Sequence, residues 1–153
     1  FACARKGGSK EDWTRKMLTQ MDDYEKIKIV GVTGTNGKTS VATMIYRILN
    51  ENGIKAGFIG TGKIEIIGKR LSDKYYSMTT PPPEKLYKVL RKMQDEGCTY
   101  IVMEVSSHAL TQHRVAAIPF EYGVFTNRLI SIIITTPKII TTQRKLFWSN
   151  QKG

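Results

Sequence analysis

A glycine-rich turn between a strand-like segment and a helical segment constrains this chain more than any other feature. Residues 31–40 read GVTGTNGKTS. They overlap a β-branched run at 27–32, which is typical of a buried strand. An apolar stripe at i, i+3, i+4, i+7 and i+8 follows from Val41 to Leu49, which is typical of a helix. A strand, a glycine-rich turn and a helix in this order form the setting of a phosphate-binding loop.

The residue types in this turn suit the phosphates of a nucleotide. Its glycines let successive backbone N–H groups converge on one phosphate, and the helix N-terminus adds the positive end of a dipole. Lys38 supplies a full charge, and a hydroxyl of Thr39 or Ser40 can hold Mg²⁺. The spacing is G-x-x-G-x-x-G-K-T, because Val32 occupies the first glycine position of the strict motif. The competing interpretation is a glycine-rich turn with a surface lysine, and the flanking strand and helix argue against it.

The rest of the middle of the chain alternates between strand-like and helical patterns. Further strands are predicted at 56–59, 100–105 and 122–126, with a small hairpin at 60–71. The first helix should stop at Asn52-Gly53, and a second helix should begin at the three prolines 81–83 and end at Gly97. A strand, a helix and a strand in succession predict a βαβ unit. The predicted fold class is therefore α/β, with a P-loop and a mostly parallel sheet flanked by helices.

The composition is that of an ordinary globular domain. The chain has 153 residues, of which 41% are apolar and 24% charged, and this argues against a disordered or collagenous chain. No stretch approaches the roughly 20 apolar residues that span a bilayer, so we expect no membrane partner. Two cysteines, Cys3 and Cys98, cannot form a disulfide framework. We therefore expect a cytoplasmic protein.

The net charge of +11 raises the question of nucleic-acid binding. Residues 1–30 contribute +2, residues 31–127 contribute +4, and residues 128–153 contribute +5. Nearly half of the excess thus lies in the last segment, which is unusual for other reasons. We expect a solvated basic surface and no nucleic-acid partner.

Several segments resemble a known enzyme family. Residues 33–40 (TGTNGKTS) resemble the ATP-binding loop of the Mur ligases and of the related folylpolyglutamate synthetases. Residues 103–110 (MEVSSHAL) resemble a strand-end motif of the tripeptide-forming branch of the Mur ligases, and 112–115 and 124–127 also resemble its segments. The resemblance runs from about 27 to 127, two-thirds of the chain. Residues 79–81 (TTP) also resemble a segment of that branch, and Met78 is a departure, because an Asn commonly precedes these two threonines in the family.

The resemblance implies an ATP-dependent amide-bond ligase of peptidoglycan precursor synthesis. Its reaction would phosphorylate the D-glutamyl carboxylate of UDP-MurNAc-L-Ala-D-Glu to an acyl phosphate, which the amine of a diamino acid then attacks. The implied cofactors are ATP and Mg²⁺, and the implied partners are the UDP-muramoyl dipeptide and the diamino acid. The sequence leaves open whether lysine or diaminopimelate is added, and it leaves the oligomeric state open.

The same resemblance implies two groups of binding residues. ATP would be bound by Gly34, Thr35, Asn36, Gly37, Lys38, Thr39 and Ser40. The UDP-muramoyl substrate would be contacted by Thr79, Thr80, Ser106, Gln112 and Arg114. The residue types agree with these roles, because a guanidinium offers a planar fork of donors to phosphate or carboxylate, and hydroxyls suit sugar oxygens. The competing interpretation is that these are turn hydroxyls and a solvated arginine.

Glu104 is the candidate metal ligand, together with Thr39. It ends an apolar strand at its carboxyl end, where open α/β sheets bind ligands. Lys38 and Glu104 are therefore the candidate catalytic residues, although a Glu at this position can also cap the next segment. For His108, orientation of neighbouring groups and an ordinary structural role both stay open. Cys98 is predicted to be buried filler rather than a nucleophile.

Residues 128–153 do not continue the family pattern. The family would continue with a stretch containing Asp-His-Leu-Asp-Tyr-His, whose first His holds a second metal, whereas this segment has six Ile, four Thr and no acidic residue. Each Ile codon begins with AT, and a codon that ends in AT encodes Asn, Asp, His or Tyr. A shift by one base therefore lets residues 130–134 decode as His-Leu-Asp-Tyr-His. We predict an out-of-frame translation from about residue 128, with a genuine Ile/Thr-rich strand as the alternative.

Three domain assignments follow from these patterns. We expect a linker or the remnant of a preceding domain at 1–26, a partial ATP-binding central domain at 27–127, and a non-native tail at 128–153. Such a fragment would lack the second metal ligand, the later part of the ATPase domain and the domain that binds the incoming amino acid. We therefore expect no ligase turnover from these residues alone.

Two other functions compete with this interpretation. A folylpolyglutamate synthetase-like ligase shares the loop and the chemistry, but the Ser-Ser-His-Ala-Leu run at 106–110, with Gln112 and Arg114, argues against it. A P-loop nucleotide-binding module that acts as a switch or a nucleic-acid motor should end a strand with an acidic Walker-B-type Asp. Here the strand ends in Glu104 followed by two serines, which does not favour that function.

Overall fold

A computed structural model describes residues 26–71, 78–112, 114–115 and 118–126, and the backbone of 132–135. The predicted linker at 1–26, apart from its last residue, and most of the predicted tail at 128–153 lie outside the described residues. The strands are β1 (Lys28–Gly34), β2 (Ala56–Gly60), β3 (Lys63–Ile66), β4 (Lys69–Arg70), β5 (Tyr100–Glu104), β6 (Phe120–Thr126) and β7 (Ile132–Thr135). The helices are α1 (Lys38–Glu51), α2 (Pro83–Asp95) and α3 (Ser107–Thr111).

The described strands form one mixed sheet in the order β4-β3-β2-β5-β1-β6-β7. The four central strands β2, β5, β1 and β6 run parallel to one another. The hairpin of β3 and β4 and the edge strand β7 are antiparallel. The predicted α/β class is thus confirmed, and the parallel part of the sheet is its centre.

Each central strand supplies apolar side chains to both faces of the sheet, as expected of strands covered on both sides. On one face, Val30, Val102 and Phe58 pack with Ala42 and Tyr46 of α1. The opposite face carries a second cluster that includes α2. Its members include Ile29, Ile59, Leu86, Leu90, Met93, Ile101 and Met103. Consecutive residues of β5 therefore belong to different clusters, as the alternation of side chains along a strand requires.

The ends of the two long helices follow local rules. Gly53 adopts φ 76° just beyond α1, and Gly97 adopts φ 80° just beyond α2, a conformation that glycine adopts at little cost. At the start of α2, Pro83 occupies the first turn, where a missing N–H leaves no hydrogen bond unmade. The predicted ends of both helices are confirmed to within two residues.

Three elements differ from the sequence-based expectation, and the first is β1, which continues to Gly34, two residues beyond its predicted end. The short helix α3 lies where no helix is predicted, and β6 begins at Phe120, two residues before the predicted start. The backbone of β7 falls inside the predicted non-native tail and pairs with β6 from Gly123↔Thr135 to Thr126↔Ile132. Strand pairing uses backbone hydrogen bonds, which many different sequences can form. The pairing of β7 therefore does not test whether residues 128–153 are out of frame, and that hypothesis stays a prediction. None of the described helices has the length and apolar character needed to cross a membrane.

Candidate nucleotide and substrate site

The carboxyl ends of the four parallel strands meet at one edge of the sheet. Gly34 ends β1, Gly60 ends β2, Glu104 ends β5 and Thr126 ends β6. Because these strands are parallel neighbours, the loops that follow them converge. This edge is where open α/β sheets bind their ligands, and it holds every site residue that the sequence predicts.

The phosphate loop joins the end of β1 to the start of α1. Gly37 precedes the helix with φ 81°, and no side chain caps the helix N-terminus. The loop residues Thr35, Asn36 and Gly37 are exposed. The amino group of Lys38 donates to the carbonyl oxygens of Gly34, at 2.8 Å, and Thr35, at 3.2 Å. The loop is thus a short arch, and the Lys38 side chain folds back over the loop's own backbone.

The Thr126 side chain, at the end of β6, binds the backbone of the phosphate loop. Its hydroxyl lies 2.6 Å from the carbonyl oxygen of Asn36 and 3.1 Å from that of Thr33. Gly34 has φ +137°, and a Cβ at this position would come within 1.8 Å of the Thr126 carbonyl oxygen. The loop can therefore approach β6 this closely only because residue 34 is glycine.

Glu104 links the phosphate loop to the neighbouring loop after β2. Its side chain is fully buried. The Thr39 hydroxyl donates to Oε2 at 3.0 Å, and the Thr61 hydroxyl donates to the same oxygen at 3.1 Å. The Thr61 backbone N–H donates to Oε1 at 2.8 Å. A Cβ on Gly60 would lie 2.3 Å from Oε1, so glycine at position 60 leaves the space that this carboxylate occupies.

These residues fit a nucleoside triphosphate with Mg²⁺. The partners that the described residues supply to the buried Glu104 carboxylate are all uncharged, and a cation would compensate its charge. The Thr39 hydroxyl is already beside that carboxylate. Within the described ranges, no group of three His, Cys, Asp or Glu side chains could hold a metal. One carboxylate, one hydroxyl and phosphate oxygens are a common set of ligands for Mg²⁺. Thr39 and Ser40 are both exposed, but the Thr39 hydroxyl donates to Glu104, so Thr39 is the better placed of the two.

A cleft of about 590 Å³ is lined in part by Thr61, the residue that donates to Glu104. Four of the five predicted substrate-binding residues line it. They are Thr79, Thr80, Ser106 and Arg114. The fifth, Gln112, contacts Arg114 instead, because its Oε1 accepts from Nε at 2.8 Å and also from Nη2. The structure thus brings four of the predicted residues together at one cleft, and Gln112 contacts one of them, Arg114.

The cleft is held together by hydrogen bonds from Thr80. The buried Thr80 hydroxyl donates to the Glu104 carbonyl oxygen and accepts from the Ser106 backbone N–H, both at 3.0 Å. The Ser106 hydroxyl caps α3 by accepting from the Ala109 N–H at 3.2 Å. The Thr80 carbonyl oxygen accepts from Nη1 of Arg114 at 3.0 Å. This network fixes the guanidinium at the wall of the cleft, where it can meet an anionic ligand.

Several residues of the cleft were not predicted as site residues. Thr61, Gly62 and His108 line it beside the predicted set. Met78 lines the cleft too, and its sulfur lies 3.3 Å from Nη1 of Arg114. The position at which this chain has Met in place of the family's Asn therefore lies inside the site. Thr61 directly follows Gly60, which ends β2. This position after a strand is the sequence signal that could have marked Thr61 as a cleft residue. Cys98 is buried, as predicted, and burial raises the pKa of its thiol to about 11.

The fold and the site define a class of protein before any comparison is made. A parallel α/β sheet, an arched glycine-rich loop at a helix N-terminus and a buried acid at the end of the adjacent strand are features of a P-loop nucleotide-binding domain. The profile of the Mur ligase middle domain matches residues 32–128. Since this match covers more than half of the chain, the chain belongs to the Mur ligase family.

Curated relatives and a solved structure agree with this assignment. The UDP-N-acetylmuramoyl-L-alanyl-D-glutamate–2,6-diaminopimelate ligase of Phocaeicola vulgatus is 43% identical over 119 residues, which cover 76% of this chain and 24% of that protein. The ligase of the same name from Clostridium tetani is 48% identical over 103 residues, covering 67% and 21%. The chain therefore spans about a quarter of the length of these relatives.

A solved structure shows a similar fold. A solved structure of a UDP-N-acetylmuramoyl-L-alanyl-D-glutamate–2,6-diaminopimelate ligase superimposes with a TM-score of 0.66. It covers 88% of this chain and 27% of that one, at 24% identity. This superposition supports the fold.

Proposed function

We propose that this chain forms the ATP-binding part of a ligase that adds a diamino acid to UDP-MurNAc-L-Ala-D-Glu in peptidoglycan precursor synthesis. One observation carries the proposal. The Glu104 carboxylate accepts from Thr39 on the phosphate-loop side and from Thr61 on the cleft side. A phosphate donor and a phosphate acceptor bound on these two sides would meet at one buried carboxylate.

The proposed reaction makes one amide bond for each ATP consumed. The D-glutamyl carboxylate oxygen attacks the γ-phosphorus, and ADP leaves. The amine of the incoming amino acid then attacks the acyl carbon and loses a proton as it forms the amide, and inorganic phosphate leaves. Most of the catalysis in such a transfer is positioning and charge stabilisation. We propose diaminopimelate as the added amino acid, because the relatives described above carry it in their names.

The residues take the following proposed roles. The loop amides from Gly34 to Ser40 hold the phosphates, and Lys38 exchanges its two backbone carbonyl partners for phosphate oxygens. Thr39 and Glu104 hold Mg²⁺, which supplies charge neutralisation to the phosphates when it is bound. In the cleft, Thr79, Thr80, Ser106 and Arg114 hold the UDP-muramoyl substrate. Gln112 keeps the plane of the Arg114 guanidinium fixed.

The proposal predicts two separate binding sites on this chain, and calorimetric titration can test both. The purified chain is titrated with a non-hydrolysable ATP analogue plus Mg²⁺, and separately with UDP-MurNAc-L-Ala-D-Glu. We expect Lys38→Ala to weaken nucleotide binding at least tenfold and to leave dipeptide binding within twofold. Arg114→Ala should weaken dipeptide binding at least tenfold and leave nucleotide binding within twofold, because the two side chains lie in different loops.

Controls distinguish this result from a general loss of folding. Lys88→Ala and Arg47→Ala remove exposed charges on α2 and α1 and should change neither affinity by more than twofold. Failure of the wild-type chain to bind either ligand would contradict the proposal. Tighter binding of a folate than of the UDP-muramoyl dipeptide would favour the folylpolyglutamate synthetase-like alternative. Steeply salt-dependent binding of DNA or RNA would favour the motor or switch alternative.

A further inference from the structure

Thr61 contacts Glu104 but has no role among the nucleotide-binding, metal-binding and substrate-binding residues named above. It follows the last residue of β2, and its side chain is exposed in the cleft. Its backbone N–H and its hydroxyl both donate to Glu104, one to each carboxylate oxygen, at 2.8 Å and 3.1 Å. The same hydroxyl lies 3.0 Å from the hydroxyl of Thr79. Thr61 is thus in contact with the proposed metal ligand and with a proposed substrate-binding residue at once.

The directions of these hydrogen bonds follow from the chemistry of the groups. A carboxylate can only accept, so the one hydroxyl hydrogen of Thr61 points to Glu104. Its oxygen then accepts from the Thr79 hydroxyl. The result is a chain that runs from Thr79 through Thr61 to Glu104, and Thr39 donates to the same carboxylate oxygen from the other side. Hydrogen bonds in such a chain polarise one another.

We infer that Thr61 is a positioning residue that couples the two ligand sites. A change of charge beside Oε2 of Glu104 alters the strength with which the Thr61 hydroxyl is held, and so alters the bond that it accepts from Thr79. Mg²⁺–nucleotide binding on one side therefore changes the affinity for the dipeptide on the other, and the reverse effect is equal. This inference rests on the proposed function and extends it, because it names the residue that connects donor site to acceptor site.

The surroundings of Thr61 separate this role from a purely structural one. Thr61 is exposed, so removal of its hydroxyl leaves no buried cavity, and Thr39 still donates to Oε2 of Glu104. The N–H of residue 61 still donates to Oε1 in any variant other than proline, so Glu104 keeps one of its anchors. The Thr61 hydroxyl is therefore separable from the fold, and its loss should change communication between the sites more than it changes either site alone.

The test measures the dissociation constant of UDP-MurNAc-L-Ala-D-Glu with and without a saturating Mg²⁺–ATP analogue. For the wild-type chain we expect the nucleotide to change the dissociation constant of the dipeptide at least fivefold. Thr61→Val, which keeps the shape and removes the hydroxyl, should reduce this factor to below twofold. Thr61→Ser restores the hydroxyl and should recover most of the factor. Thr99→Val is the matched control, because Thr99 is exposed at the opposite edge of the sheet, and should keep the full factor.

A double-mutant cycle adds a second readout. Thr79→Val removes the other end of the chain, and Thr61→Val/Thr79→Val should show no further loss of coupling beyond Thr61→Val alone. Equal melting temperatures of Thr61→Val and Thr61→Ser show that the loss is not one of folding.

The outcomes separate this inference from the proposed function. If the wild-type chain binds both ligands but Thr61→Val keeps the full coupling factor, Thr61 is not the coupling residue and the proposed function stands. If both ligands bind with no coupling in the wild type, the inference is also overturned. If neither ligand binds, the proposed function fails and this inference fails with it.

Discussion

Gly34 bears the tightest steric constraint at the site, and its substitution gives the first prediction. Its φ of +137° strains any L side chain, and a Cβ would also meet the Thr126 carbonyl oxygen at 1.8 Å. Gly53 has φ +76° but nothing within 4 Å of its Cβ position. Gly53→Ala should therefore cost about 1 kcal/mol for the left-handed conformation alone. Gly34→Ala should cost at least about twice that amount and abolish nucleotide binding.

Urea denaturation of the two glycine variants measures this difference directly. Both substitutions add one methyl group at a position of positive φ, so the difference between them reports the contact with β6 together with the less accessible φ of Gly34. Equal destabilisation by the two variants would show that the approach of the phosphate loop to Thr126 is not constrained in this way.

Cys98 gives a prediction about alkaline pH. Burial raises the pKa of its thiol from 9.0 to about 11. The unfolded chain therefore loses this proton first as the pH rises, so the stability that the neutral thiol contributes is complete below about pH 9 and is lost towards about pH 11. The difference in unfolding free energy between wild type and Cys98→Ala should shrink between about pH 8 and about pH 10.5. Urea titrations at the two pH values check this, and a difference that is constant or grows would contradict it.

Residue types alone predicted most of the candidate site, but not how its members interact. The charge of Lys38, the hydroxyl of Thr39 and the carboxylate of Glu104 indicated phosphate and Mg²⁺ chemistry without any structure. The contact of Gln112 with Arg114 in place of the cleft could not be predicted, because side-chain partners depend on rotamers and on neighbours from other segments. These assignments to ligands stay predictions until the titrations are done.

At the scale of elements, Tyr46 connects α1 to the β3–β4 hairpin. Its ring packs 5.5 Å from that of Phe58, and its hydroxyl accepts from the Gly68 backbone N–H at 2.8 Å. Tyr46→Phe keeps the ring and removes the acceptor, so we expect a loss of about 1 kcal/mol in the free energy of unfolding. Tyr122→Phe on β6, where the side chain is half-buried, is the control and should cost less.

Hydrogen exchange locates the effect of Tyr46→Phe more sharply than global stability does. The amide of Gly68 should exchange faster in Tyr46→Phe than in the wild type, because it loses its partner. Unchanged exchange at Gly68 would mean that the hydroxyl does not hold the hairpin. A drop in protection spread over the whole sheet would indicate a general packing defect instead.

Long elements with strong periodicity were predictable, and short ones were not. The stripes of α1 and α2 have several apolar residues each, and glycine or proline marks their ends, so local sequence determines them. The five residues of α3 are too few to show a period. Its start depends on the Ser106 cap and on the support of Ser106 by Thr80 from another segment. The early start of β6 likewise depends on pairing with β1.

At the scale of the whole molecule, the reading-frame hypothesis makes a prediction that needs no protein. If residues from about 128 onward are out of frame, the coding DNA read one base earlier should encode His-Leu-Asp-Tyr-His opposite residues 130–134. Sequencing of the coding region and its downstream DNA in all three frames checks this. A neighbouring frame without that run would refute the hypothesis and leave the alternative of a genuine Ile/Thr-rich strand.

The sequence by itself determined the phosphate loop, the long helices and the central strands. The reason is that glycine conformations, proline positions and apolar periodicity act over a few neighbouring residues. The tertiary structure alone decided that Glu104 joins Thr39 to Thr61, residues that lie 65 and 43 positions from it in the chain. Such a meeting requires the parallel order of β2, β5 and β1, and that order arises from the burial of both faces of the sheet rather than from any local pattern.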